Sequence, residues 1–273
     1  MSLRINNNIS AMNTHRQLAA TDKDLSKSLE RLSSGLRINR AADDSAGLAI
    51  SQRLRSQVEG LKMASQNAEQ ATNVVQTAEG YLNEIHNMLG RMRELSVQSS
   101  SDTVDNTNRA SLHAEFTSLR SEITRIASAA EYNNQKLLDG TFNKTFQIGA
   151  NNTVNDVLTF SIAAVDATTL GIDATDISSL AGANTALDSL TTAIDSVSTT
   201  RSDLGTIQNR LAFTVASVNN AAENLASSES SIRDLDISDE ITEFTKSQIL
   251  VQAGMSMLAQ ANAVPQNVLS LFR

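Results

Sequence analysis

Apolar residues alternate at spacings of four and three, without a slip, from Ile50 to Met92. The series is Ile50, Leu54, Gln57, Leu61, Ala64, Ala68, Ala71, Val75, Ala78, Leu82, Ile85, Leu89 and Met92, with Gln57 its one polar member. A mean step of 3.5 residues keeps a stripe on one side of a helix. About six heptads exceed the three or four that mark a coiled coil. At 1.5 Å per residue the helix is roughly 65 Å long. A rod of that length cannot bury its own stripe, so partner helices of comparable length must exist elsewhere in the chain.

They do. A second series runs Leu187, Leu190, Ile194, Val197, Arg201, Leu204, Gln208, Leu211, Val215, Val218, Ala222, Leu225, Glu229 and Ile232. A shorter third series is Leu112, Phe116, Leu119, Ile123, Ile126 and Ala130. The alanines at 64, 68, 71 and 78 allow close helix approach, while Leu and Val of the other series supply bulk. With no Trp, one Pro and 3% aromatics, the composition suits long helices packed side by side better than a thick globular core. The expected fold is mainly α: a long antiparallel coiled-coil bundle on a discontinuous, two-layer domain plan. Turn residues in SSSDTVDNTN (99–108) predict a chain reversal between the first and third series.

Between about 140 and 180 the pattern changes. FQI (146–148) and VLTFSI (157–162) flank a Gly/Asn-rich stretch. Leu158, Phe160 and Ile162 alternate with Thr159 and Ser161, which predicts a β-hairpin too small to be a domain.

The ends carry shorter series. Leu18, Leu25, Leu29, Leu32 and Leu36 form one, and Ile5, Ile9 and Met12 another. Leu250, Ala253, Met257, Val264 and Leu271 form the C-terminal one. Pro265 is expected to kink or interrupt that last helix. From Ser247 to Phe272 there are 26 residues without a charge. That length would fit a membrane span, but Gln248, Gln252, Ser256 and Gln260 recur every four residues and argue against insertion. Residues 1–60 hold nine Lys/Arg against six Asp/Glu, and residues 229–273 hold three against six. The opposite signs favour pairing of the two ends.

Several function classes are disfavoured. A net charge of −8 does not suit nucleic-acid binding. Without Cys there is no thiolate metal site, Cys nucleophile or disulfide. His15, His86 and His113 are scattered, none is in an HExxH pattern, and each is read as a solvated helix-face residue. No nucleotide loop or nucleophile elbow occurs, so no enzyme activity, cofactor or metal is expected. DDS (43–45) reads as an N-cap for the long helix and not as a paired-carboxylate site. Arg37 and Arg40 are expected to pair with Asp43 or Asp44 in this spacer. MSLRINNNISAM lacks the apolar core of a signal peptide, so any export is expected to use another route.

INNNISAMNT (5–14), SSGLRINRAADDSAGLAISQRLRSQ (33–57), LNEIHNMLGRMRELSVQSS (82–100), EYNNQKLLDGTF (131–142) and AQANAVPQNVLSLFR (259–273) resemble bacterial flagellin. The resemblance implies a structural subunit that self-assembles into the hollow helical filament of the flagellum, for motility, secreted and extracellular. It implies that 1–42 plus 236–273 forms the inner, channel-lining domain, with Gln248, Gln252, Ser256 and Gln260 toward the channel. Residues 43–235 would form the coiled-coil domain, with the hairpin region at about 140–180 and no outer variable domains. The seam would be carried by Leu61, Val75, Leu82, Ile85, Leu89, Leu190, Ile194, Leu204, Leu211, Val218 and Leu225.

Implied partners are further copies of the chain, an export chaperone over the C-terminal helix, the flagellar type III export apparatus, and the filament cap and hook-junction proteins. The match to LGRMREL carries over Arg91, Leu95 and Glu115 as residues that pack against a neighbouring subunit and contact a host Toll-like receptor. Gly90 stands where many receptor-activating members have Gln, and subunit packing is the expected role. Competing readings are the hook–filament junction protein and a secreted helical protein that forms no filament.

Overall fold

The structure, a computed structural model, describes residues 7–271, with side chains through residue 263. Among them are five α-helices, α1 (Ile9–Ser34), α2 (Ser45–Ser99), α3 (Asn106–Ala129), α4 (Leu180–Arg233) and α5 (Ile237–Leu271). Two small antiparallel strand pairs lie between α3 and α4: β1 (Glu131–Tyr132) with β2 (Gln135–Lys136), and β3 (Asn143–Gln147) with β4 (Val157–Ser161). The chain divides into two compact units, 57–223 and 1–56 with 224–273.

In the larger unit the three heptad series supply the core. Ala64, Ala68, Ala71, Val75, Ala78, Leu82, Ile85, Leu89 and Met92 of α2 are all buried, while Leu61 is half-buried. On α4 full and partial burial alternate along the predicted positions. Leu190, Val197, Leu204, Leu211 and Val218 are buried, and Ile194, Arg201, Gln208, Val215 and Leu225 are half-buried. Each buried Leu or Ile stabilises by roughly 1.5–3 kcal/mol. The helices run antiparallel. Ser99 Oγ donates to the Ile177 carbonyl just before α4, Gln208 Nε2 donates to Glu79 Oε2 (2.9 Å), and Leu61 lies by Val218.

α2 starts where Asp44 Oδ1 accepts from Gly47 N–H (2.9 Å), and the expected reversal at 99–108 ends on Asp105, which caps α3 through Asn108 N–H (2.8 Å). Arg109 is buried at this turn. Its guanidinium donates to the carbonyls of Ser99 and Ser101 (both 2.9 Å) and to Asn106 Oδ1; the Ser99 carbonyl is at the open end of α2, and that of Ser101 also accepts from Val104 N–H.

The predicted hairpin is β3–β4, with Phe146 opposite Leu158. Phe160 stacks on Phe146 and lies tilted against Phe142. Two features were not anticipated. The β1–β2 pair turns through Asn133 and Asn134, both at positive φ, as a two-residue hairpin turn needs. Residues 163–178 have no periodicity but bury Val165, Leu170, Ile172 and Ile177.

In the other unit α1 ends at Gly35, whose φ of 69° is the left-handed cap that glycine adopts freely. The segment after it pairs with the α4–α5 connection: Arg37 N–H donates to the Arg233 carbonyl and Leu235 N–H to that of Gly35. α5 continues through Pro265 to Leu271, so the expected interruption does not occur. Ile5, and the side chains of Val264 and Leu271, lie outside the described residues.

Candidate assembly surface

α1 and α5 pack antiparallel against each other. Arg31 Nη1 meets Glu240 Oε2 at 3.4 Å near one end, and Asn8 Nδ2 donates to the Ala261 carbonyl at the other. Between them a Cβ added to Gly254 would lie 3.1 Å from Leu18 Cδ1, so the helices touch closely there. The inward positions are Ala11, Thr14, Leu18, Thr21, Leu25, Ser28 and Leu32 on α1. On α5 they are Phe244, Ser247, Val251, Gly254, Leu258 and Ala261. Both sets keep the 3,4 alternation. Leucines alternate with small hydroxylated residues, and Thr21 satisfies its hydroxyl on the Gln17 carbonyl of its own helix.

This seam differs from the expected one. Leu250, Ala253 and Met257 form a 3,4 series but face outward, as do Ile9, Met12 and Leu29 of the N-terminal series. α5 carries two apolar stripes. On the inner one the small residues Ser247, Gly254 and Ala261 alternate with Phe244, Val251 and Leu258, so its hydropathy signal is weak, yet the small residues are what allow close approach. Ile249 is 61% exposed and Met257 62%, with Leu250 and Met255 also open. Such residues on the uncharged stretch of α5 from Ser247 onward mark an interaction surface.

Gln248, Gln252, Ser256 and Gln260 are all exposed. A four-residue step advances the stripe by about 40° each time, so it winds around the helix. Ser256 Oγ donates to the Ala253 carbonyl of its own helix.

Arg91 and Glu115 do come together. Arg91 Nη2 lies 2.9 Å from Glu115 Oε1, and its Nη1 2.9 Å from Glu94 Oε2. The carboxylates, Glu94 first, hold the guanidinium charged above its ordinary range. Leu95 is a correction. It is 1% exposed, inside the core, and cannot itself touch a second molecule. Beside Arg91 an open groove of ≈ 460 Å³ is lined by Gly90, Arg93, Glu94, Val97 and Gln98.

The spacer pairs are corrected as well. Asp43 pairs with Lys27 at 2.9 Å and accepts from the backbone N–H groups of Arg40 and Asn39. The Lys27 bond and these N–H groups lower its pKa to about 2. Asp44 is the α2 cap. The Arg40 guanidinium reaches Glu30 (2.9 Å), and that of Arg37 donates to the Ile232 carbonyl. The expected pairing assumed short loop contacts, whereas the loop folds back on α1 and on the end of α4.

His113 is not a solvated face residue. Its Nδ1 accepts from Ile177 N–H and faces Asp176 Oδ1 at 3.2 Å. His15 is exposed and His86 partly buried. Among the described residues no group of three or more His, Asp or Glu gathers to hold a metal, and no helix is long and apolar enough to cross a membrane.

A helix pair made from the N- and C-terminal helices, with large apolar residues left uncovered on both, defines a self-associating structural protein. Residues 5–143 match the bacterial flagellin N-terminal helical region, and residues 187–272 the bacterial flagellin C-terminal helical region. A flagellin of Halalkalibacterium halodurans is 46% identical, over 98% of this chain and 99% of that one. A flagellar filament 33 kDa core protein of Treponema phagedenis is 44% identical, with the same coverage. The crystal structure of Bacillus cereus flagellin is 29% identical with a TM-score of 0.51, covering 60% of this chain and 94% of that one. The chain belongs to the bacterial flagellin family. It is a structural subunit of the flagellar filament, and its first partner is another copy of itself.

Proposed function

We propose that assembly is driven by the α1–α5 pair. The observation that carries this reading is the outward side of α5, where Leu250 and Met257, with Ile249 beside them, are exposed with no charge among them. A neighbouring copy would cover these residues and remove their apolar surface from water. The contact is heterologous and does not close, which builds a tube. Residues 1–42 with 236–273 form the inner layer. The amides at 248, 252 and 260 face the channel, where uncharged side chains do not hold a passing chain by ion pairing. Residues 43–235 form the next layer. With no outer domain inserted between β4 and α4, the filament is thin and smooth.

The chain leaves the cell unfolded through the flagellar type III export apparatus and works outside it. An export chaperone covers the apolar stripe of α5 beforehand, and the cap and hook-junction proteins bound the polymer. Arg91 with Glu115 packs against a neighbouring subunit and contacts a Toll-like receptor.

Deleting 247–273 tests the reading. Filaments, scored by negative-stain microscopy and sedimentation after salting-out, should disappear while circular dichroism retains the helices of 57–223. Normal filaments from the truncated chain would sink it.

A further inference from the structure

Pro265 lies inside α5. Proline has no N–H to return to the carbonyl four residues back. Here that carbonyl belongs to Ala261. It is not left open, because Asn8 Nδ2 donates to it at 2.8 Å from 253 residues away in sequence. The same carboxamide is the N-cap of α1, its Oδ1 accepting from Ala11 N–H at 3.1 Å. One side chain thus satisfies a donor that helix geometry leaves open and an acceptor that proline leaves open.

We infer that Asn8 sets the register of α1 against α5, and that Pro265 is what makes Ala261 able to receive it. The seam alone specifies register weakly. Its positions repeat in kind every seven residues: Leu18, Leu25 and Leu32 in one row, Thr14, Thr21 and Ser28 in the other. A slip of one heptad would set leucine where leucine was. It would also carry Asn8 Nδ2 away from Ala261 to a carbonyl already bonded within its helix. Two polar contacts bracket this otherwise repetitive seam, Arg31 with Glu240 at one end and Asn8 with Ala261 at the other, and a polar contact in such a seam is a known means of selecting one register. Asn suits the task because it carries donor and acceptor on one short side chain.

The test separates the two bonds. Ser caps a helix about as well as Asn, but its hydroxyl is too short to span both partners. Asn8→Ser in the full chain should raise the critical concentration for filament formation by roughly three- to tenfold, the worth of one hydrogen bond. In a Pro265→Ala chain, residue 265 supplies its own N–H to Ala261, and the Asn8→Ser effect should largely vanish. An equal effect in both backgrounds, or none in either, overturns the inference. If either variant fails to assemble, solid-state NMR of wild-type filaments decides. With Asn side-chain ¹⁵N and Ala ¹³C′ labels, transfer from Asn8 Nδ2 to Ala261 C′ is expected, and its absence overturns the inference. The inference uses the filament only as readout. A wild-type chain that forms no filament would sink the assembly reading, whereas these comparisons bear on Asn8 alone.

Discussion

Asp43 and Arg109 are two charged residues held by different physics. Asp43 is lowered from its ordinary 3.8 to about 2, chiefly by the Lys27 bond. A depressed carboxylate stabilises the fold above its unfolded pKa and loses that contribution as pH falls through the folded value. The window for Asp43 is therefore pH 4 down to 2. Lys27→Met should move the Asp43 titration, read by carbon NMR, back toward its ordinary value and raise the midpoint of acid unfolding. An unmoved titration would mean that the backbone N–H groups alone hold it. Arg109 instead supplies three donors in one plane to two carbonyls and an amide oxygen at the α2–α3 turn. Arg109→Lys keeps the charge but not the fork. It should cost roughly 1–3 kcal/mol in thermal unfolding, because the carbonyl of buried Ser99 loses its partner.

Leu211 and Phe213 sit two residues apart on α4, and element geometry assigns them opposite fates. Leu211 is fully buried and Phe213 is 78% exposed. Leu211→Asp should destabilise the unpolymerised chain by several kcal/mol, and Phe213→Asp by no more than about 0.5 kcal/mol. Equal melting temperatures for the two would mean that the 187–232 register is wrong. That register could be read from sequence because a helix places every seventh side chain on nearly the same side, so local spacing alone reveals the stripe. The phase of α5 could not be read this way. It carries two stripes, and hydropathy favours Leu250 and Met257 over the Gly254 and Ser247 that face α1. Residues 163–178 escaped for another reason. They are buried by position against the hairpin and helix ends, with no period of their own. The spacer gave its Asp44 cap from the motif DDS, but the Lys27–Asp43 pair depends on where the chain returns in space.

The two units of the molecule are built on different seams. Unit 57–223 buries Leu, Ile, Met and Phe in depth, whereas the α1–α5 seam alternates leucine with Thr, Ser, Gly and Ala. Less apolar area is removed from water per turn, so that pair is the weaker element until neighbours cover its outside. Hydrogen exchange of the unpolymerised chain should show α1 and α5 exchanging well ahead of α2 beyond residue 57. Both should become protected in filaments. Equal protection before assembly would contradict the ranking. The contact between Asn8 and Ala261 has one more consequence. It joins residues so far apart that it exists only in a chain with both ends intact. On the inference above, a product clipped past Asn8 or short of Ala261 lacks one half of the pair and should enter the polymer only at a higher concentration. The fit of the two helices would then act as a check on the completeness of each newcomer.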